Sequence, residues 1–384
     1  MVYYVKADKF FYPYETKQGG FLEIADGKFG AWQKEAPAGA EIVDYTGHNI
    51  APGLVDTHIH GFHDFDVMDD NIDGLLTTMS EGLLSIGVTS FFPSTLTGEH
   101  ELLKHICEEI GNHHQEAKGA KIQGIFFEGP YFTEEHKGAQ NPAYMTDPSI
   151  DEFHEWQTAA KGMLKKIAVA PEREGVDEFI RTITSEGVSV ALGHSNASYE
   201  QAVRGIEAGA DTWVHTYNGM SPLNHRQPGM VGAAFDTPNT YAELICDGHH
   251  VHPAACEVLM KAKGADHVLL VTDSMRAAGM PDGGSYMLGE FPVVIKDGTV
   301  RLVSNGSLAA SLLTLNVAVK NVVDWGIATP EEAVMMATLT PAISAKISDV
   351  CGQIKLGHAA DFIVLEPDMS LAATYLDGVK RFEA

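Results

Sequence analysis

From residue 50 onward, short apolar runs alternate with longer stretches in which apolar positions recur every three to four residues. The short runs are Ile50–Val55, Val88–Pro93, Ile122–Phe127, Lys166–Ala170, Val188–Leu192, Thr212–His215, Ala242–Cys246 and Val268–Thr272, each of the length of a buried strand. Between most of them lie Asp73–Ile86, Glu101–His113, Val176–Glu186, Tyr199–Ala208 and Ala254–Lys263, whose pattern predicts amphipathic helices. Asn316–Trp325 and Pro330–Ala342 predict two more helices after the last strand.

Strands that each return through a helix predict an α/β fold with a parallel sheet. Eight of them suit a closed (β/α)8 TIM-type barrel, and an open doubly wound sheet is the competing arrangement. Polar residues follow many different strands here, whereas an open sheet gathers them at one crevice. The barrel is therefore the expectation.

The two ends of the chain carry strand periodicity instead. Residues 1–50 alternate around the turn signal Ala25-Asp26-Gly27-Lys28, and residues 351–384 do the same around Phe362–Leu365 and Tyr375-Leu376-Asp377-Gly378. Neither end has enough apolar surface to fold alone. They predict one small β-sandwich domain (1–50 with 351–384) beside a barrel catalytic domain (51–350). Lys296-Asp297-Gly298-Thr299 marks a further hairpin, inserted after the last barrel strand.

Composition narrows the setting. With 384 residues, 45% hydrophobic and 20% charged, the chain has the make-up of an ordinary globular protein. No apolar stretch reaches the ~18 residues of a membrane span, and the N-terminus lacks the layout of a signal peptide. A net charge of -26 argues against a nucleic-acid partner, while leaving room for a small anionic ligand at a local cluster of donors. Cys107, Cys246, Cys256 and Cys351 form no C-x-x-C pair, which fits a reducing cytoplasm.

The strand ends hold the candidate chemistry. Strand one runs into His58 and His60, which point to one face because their spacing is two. Strand three ends at Glu128, strand five at His194 and strand six at His215. Strand seven ends in Asp247-Gly-His-His250, and strand eight in Asp273. A parallel barrel gathers such residues on one rim. Imidazoles and carboxylates converging there have the composition of a divalent-metal site. By contrast, His63, His100, His105, His113, His114 and His154 fall in loops or on helix faces and read as solvated or structural.

These strings resemble the amidohydrolase superfamily and, within it, the N-acetylglucosamine-6-phosphate deacetylases. The resemblance rests on Phe127-Glu-Gly-Pro-Tyr131 with Lys137-Gly-Ala-Gln-Asn-Pro142, and on His215-Thr-Tyr-Asn-Gly-Met220 with Asn224-His-Arg-Gln-Pro-Gly229. Asp247-Gly-His-His-Val251 and Leu270-Val-Thr-Asp273 complete it. It implies that Glu128, His194 and His215 hold the principal divalent metal and that Asp273 is the catalytic acid and base. His58 and His60 would permit a second ion, where some members carry amides.

Zinc is the first expectation, with iron, cobalt, manganese or nickel also suited to His and Glu ligands. The resemblance further places Ala139, Gln140, Asn218, Gly219, Arg226, His250, Leu308, Ala309 and Ala310 against an amino-sugar phosphate. Arg226 would act across a homodimer interface. Gln140 stands where many members have a histidine; it can donate a hydrogen bond to the acetyl oxygen but cannot carry a proton. Alternative readings are another amidohydrolase reaction, of deaminase or cyclic-amidase type, or a non-catalytic barrel scaffold. Strand four ends Ala170-Pro171-Glu172 without the lysine common in ring-opening relatives, and the retained Glu128, His194, His215 and Asp273 speak against a scaffold.

Overall fold

A computed structural model describes residues 2–69, 71–281 and 284–384. Its centre is a run of parallel strands in the order Leu54–Ile59, Val88–Thr95, Ile125–Glu128, Leu164–Val169, Ser189–Leu192, Thr212–Trp213, Tyr241–Leu244 and Val268–Leu270. The ring is drawn together just past the last strand, where Asp273 N donates to His58 O at 2.9 Å and His60 N to Ser274 O at 2.9 Å. Each strand is neighboured by the next in sequence, as a TIM-type barrel requires and a doubly wound sheet does not.

Side chains fill the barrel. Val55, Phe92, Phe126, Ala168, Ala191 and Val214 pack together inside it and continue onto Ala342, Ala345 and Ile347. A larger apolar layer joins the outer faces of the strands to the helices. The expected helices are present, together with Ile150–Ala159 and Gly229–Asp236, which are not among the elements picked out from the sequence. Ser149 caps the first of these by accepting from Glu152 N at 3.3 Å. No helix of the described residues is long and apolar enough to cross a membrane.

The terminal segments pair in one eight-stranded sheet of order Val379–Glu383, Leu371–Leu376, Phe362–Leu365, Ile42–Pro52, Val2–Tyr12, Phe21–Ala25 and Lys28–Gln33, with Glu15–Gln18 on Val2–Tyr12. Phe362 faces Pro52 in antiparallel register, so the two ends of the chain meet directly. Their shared core includes Val5, Phe10, Leu22, Phe29, Phe362 and Tyr375. Ala25 pairs with Lys28, and Lys296 with Thr299, as the turn signals predict.

Three segments expected as single elements are each split in two, for packing reasons. The apolar run at Ile50–Val55 is two strands, because Ile42–Pro52 belongs to the terminal sheet and the barrel strand is Leu54–Ile59. Gly53 separates them where the backbone passes so close to Thr89 that a Cβ would lie 2.0 Å from its Oγ1. The run at Ile122–Phe127 is likewise split into Lys121–Ile122 and Ile125–Glu128, with Gly124 pressed against the Phe92 ring. Pro330–Ala342 is two helices, Pro330–Met336 and Leu339–Ser344. The carbonyl of Ala337 turns to accept from Val55 N, and Pro341 has no N–H to extend a helix backward.

Candidate active site

The rim beyond the carboxyl ends of the barrel strands collects the predicted polar residues. His58, in the first strand, and His60, just after it, bring their Nε2 atoms to 3.2 Å from each other. Glu128 ends the third strand, and its Oε1 lies 3.0 Å from the Nε2 atoms of both His194 and His215. Those two nitrogens are 3.1 Å apart. Asp273 Oδ1 is 3.1 Å from His60 Nε2 and 3.5 Å from His58 Nε2. Glu128 joins the two groups, its Oε2 being 3.3 Å from His60 Nε2.

The opposite nitrogen of each ring decides what this cluster can bind. His60 Nδ1 faces the carbonyl of Ser94 at 3.0 Å, His194 Nδ1 that of His136 at 2.9 Å, and His215 Nδ1 that of Asn218 at 3.1 Å. A carbonyl only accepts, so these Nδ1 atoms carry the protons. His58 Nδ1 is fixed in the same way by Glu243 Oε2 at 2.9 Å. The Nε2 lone pairs are thereby left facing each other and two carboxylates. Such an inward-facing donor set is repulsive alone and suits a divalent cation, and holding each ring through its other nitrogen is how proteins orient metal-binding histidines. Two groups of three could hold an ion: His58, His60 and Asp273, and Glu128, His194 and His215.

Electrostatics agree with that reading. Burial works against the charged forms, yet the neighbouring histidines hold Glu128 well below the usual carboxylate range and Asp273 below it. In return, Glu128 and nearby carboxylates outweigh burial at His215 and lift it to about 9, and Asp273 and Glu128 lift His60. The cluster thus attracts positive charge, whether as protons or as a metal ion.

The backbone is shaped to present these groups. His194, His215 and Asp273 adopt φ of 44°, 26° and 50°, a left-handed region that costs a side-chain-bearing residue energy. Three elements therefore turn sharply at the residue that points inward. Gly219, at φ +62°, runs beside the His194 ring, where a Cβ would come 3.0 Å from Nδ1. This glycine serves the histidine's position as well as the cavity wall.

Above the cluster is a cavity of about 140 Å³ lined by His60, Glu128, Ala139, Gln140, His194, His215, Asn218, Gly219, His250, Asp273, Leu308, Ala309 and Ala310. Leu96 and Leu288 add apolar wall, the latter from the inserted three-stranded sheet Ser285–Leu288, Phe291–Lys296 and Thr299–Leu302. His58 lies buried beneath the floor. Arg226 stands apart, exposed in the loop between the sixth strand and helix Gly229–Asp236, and does not line this cavity. A larger cavity of about 300 Å³, between Tyr12–Thr16 and helix Pro330–Met336, carries glutamates but no histidine, so its chemistry is not that of the rim.

Gln140 is more constrained than the sequence suggests. Its Nε2 donates to Glu128 Oε2 at 2.5 Å, and its Oε1 accepts from Thr97 N at 2.7 Å. One amide proton is thus committed to the carboxylate, which leaves one for a ligand. His250 is oriented by Asp247, whose Oδ2 meets its Nδ1 at 2.6 Å.

Several supporting residues have roles that the sequence did not indicate. Glu172 accepts from Ser195 Oγ at 2.6 Å, Asn196 N at 2.9 Å and Thr133 Oγ1 at 2.7 Å, tying the His194 loop to the one that follows Glu128. Lys166 and Glu243 sit fully buried within strands. The available signal was a charged residue inside an otherwise apolar barrel strand, which demands a partner.

Comparison with known proteins fits this geometry. The amidohydrolase family matches residues 49–381. An N-acetylglucosamine-6-phosphate deacetylase of Vibrio furnissii is 41% identical over 337 residues, covering 88% of this chain and 84% of that one. An N-acetylgalactosamine-6-phosphate deacetylase of Escherichia coli O157:H7 is 38% identical, covering 93% of each. The structure of a Mycobacterium smegmatis N-acetyl-D-glucosamine-6-phosphate deacetylase mutant in complex with N-acetyl-D-glucosamine-6-phosphate superposes with a TM-score of 0.93 at 28% identity, covering 99% of each chain. With its match across most of its length and a barrel rim built of histidines and carboxylates, the chain belongs to the amidohydrolase family.

Proposed function

We propose that this protein hydrolyses the acetamide of N-acetylglucosamine-6-phosphate to glucosamine-6-phosphate and acetate, in amino-sugar catabolism. The observation that carries the reading is the pair of ligand groups, with Glu128 of one reaching His60 of the other, at the floor of a cavity whose walls are small and apolar at Ala139, Ala309 and Ala310. Glu128, His194 and His215 would hold a divalent cation, with His58 and His60 available to a second, and such a cation would supply activated water at neutral pH and polarise the acetyl carbonyl.

The protein's own groups do the rest. Asp273, kept ionised despite burial by His58 and His60, accepts the proton of the attacking water and returns it to the departing sugar nitrogen. The free amide proton of Gln140 donates to the oxygen on which charge develops, and His250, held by Asp247, lines the cavity beside it. Asn218 and Gly219 line the cavity beside His215 and orient the sugar. The exposed guanidinium of Arg226 suits a phosphate, and we place it on the phosphate of the partner subunit's substrate in a homodimer. Four free, buried cysteines support a cytoplasmic setting.

The relative of Escherichia coli O157:H7 favours a second reading, the 6-phosphate of N-acetylgalactosamine as substrate. Acetate release from both sugar phosphates, with and without chelator, tests the proposal. Chelator-sensitive acetate release from the first at the higher kcat/KM is expected. Ammonia release, or no turnover of either after zinc, iron, cobalt, manganese or nickel is supplied, would overturn it.

A further inference from the structure

Three of the four floor histidines lend their Nδ1 proton to a backbone carbonyl; His58 alone lends it to a side chain. That side chain, Glu243, comes from the seventh barrel strand and is fully buried. Its Oε2 accepts from His58 Nδ1 at 2.9 Å and also from the backbone N–H of His215 at 3.0 Å. One oxygen atom therefore holds a member of each candidate ligand group.

The other oxygen, Oε1, accepts from Lys166 Nζ, a lysine of the fourth strand that is itself buried. Its ammonium also lies 4.2 Å from the centre of the Phe126 ring, and that ring meets His58 edge-on at 4.8 Å. His58 is thus gripped from two sides by a unit that touches neither cavity nor surface. A buried carboxylate without a countercharge is costly, and Lys166 supplies the countercharge. An ionised acceptor on Nδ1 also makes Nε2 a stronger donor to a cation than a carbonyl would.

We propose that Glu243, neutralised by Lys166, is a positioning residue that fixes the His58 tautomer and couples the two ligand groups through His215. The inference rests on the cation site proposed above. Replacement of Glu243 by glutamine removes one acceptor, because an amide has a single accepting oxygen and a nitrogen that only donates, leaving either Lys166 or His58 facing a donor.

The test compares wild type, Glu243→Gln and the double variant Lys166→Met with Glu243→Leu, each stripped with chelator and titrated with Zn²⁺ against a competing dye. Circular dichroism of the stripped proteins reads the fold. The double variant replaces a buried ion pair by apolar groups, a change often tolerated. The expected result is Zn²⁺ affinity lowered by about 10- to 100-fold in both variants, with the stripped double variant still melting cooperatively. Affinity within about twofold of wild type in a folded variant would overturn the inference and leave the proposed function standing. Failure of wild type to bind Zn²⁺ would remove both. If neither variant folds, long-range ¹H–¹⁵N spectra of Zn²⁺-loaded wild type decide: a proton on His58 Nδ1 supports the inference, and metal on that nitrogen overturns it.

Discussion

His154 and His194 each sit within hydrogen-bond reach of a glutamate, yet they belong to different parts of the molecule. His154, on the helix Ile150–Ala159, meets Glu186 at 2.9 and 3.1 Å with its side chain 46% exposed. His194, on the barrel rim, meets Glu128 at 3.0 Å while its other nitrogen is taken by the His136 carbonyl. His48 and His113 of the outer shell resemble His154, each pairing with a single glutamate at the surface. His58, His60 and His215 resemble His194. What separates the sets is the partner on the far side of the ring. A surface ion pair is worth ~0–1 kcal/mol and asks nothing of the ring's orientation. A ring clamped by one nitrogen and facing lone pairs with the other is arranged for a cation.

The comparison can be broken at several points. The largest effect is expected at Asp273→Asn, which keeps the size of the side chain but removes the carboxylate proposed to carry the proton. Pre-steady-state and steady-state acetate release should show kcat lowered by about 1,000-fold with zinc at Glu128, His194 and His215 retained. A variant within tenfold of wild type would take Asp273 out of that role.

Next comes Arg226→Ala, which asks whether an exposed residue can still belong to the site. Loss of a charge-assisted contact to phosphate should raise KM for the phosphorylated sugar about 10- to 100-fold and leave kcat nearly unchanged. An unaltered KM would remove Arg226 from phosphate binding.

Gly219→Ala follows. The methyl group would meet His194 Nδ1 at 3.0 Å from a backbone at φ +62°, so ring placement must shift. About tenfold lower zinc affinity, measured by titration, is expected from disturbing a clamp of this kind. At the bottom of the scale, His154→Ala should leave kcat/KM at the wild-type value and unfolding free energy within about 0.5 kcal/mol. A marked loss of activity there would mean that the shell is not the bystander the comparison makes it.

How much of this was readable in the chain depends on range. The alternation of strands and helices gave the barrel, because period and length are local properties. The rim residues were visible because Glu128, His194, His215 and Asp273 each follow an apolar run directly. Boundaries at Gly53 and Gly124 were hidden, since two buried strands in succession look like one apolar run, and only the contacts to Thr89 and Phe92 separate them. The Lys166–Glu243 unit was hidden for the opposite reason. Its members are 77 residues apart and become partners only when the fourth and seventh strands face each other across the barrel. Gln140 could be placed at the cavity from its surrounding string, but its attachment to Glu128 could not.

The most direct test of the central claim is anomalous diffraction from crystals of the purified protein loaded with zinc. The account predicts a peak within coordinating distance of Glu128, His194 Nε2 and His215 Nε2. A map with zinc on surface carboxylates and none among those three side chains would contradict it.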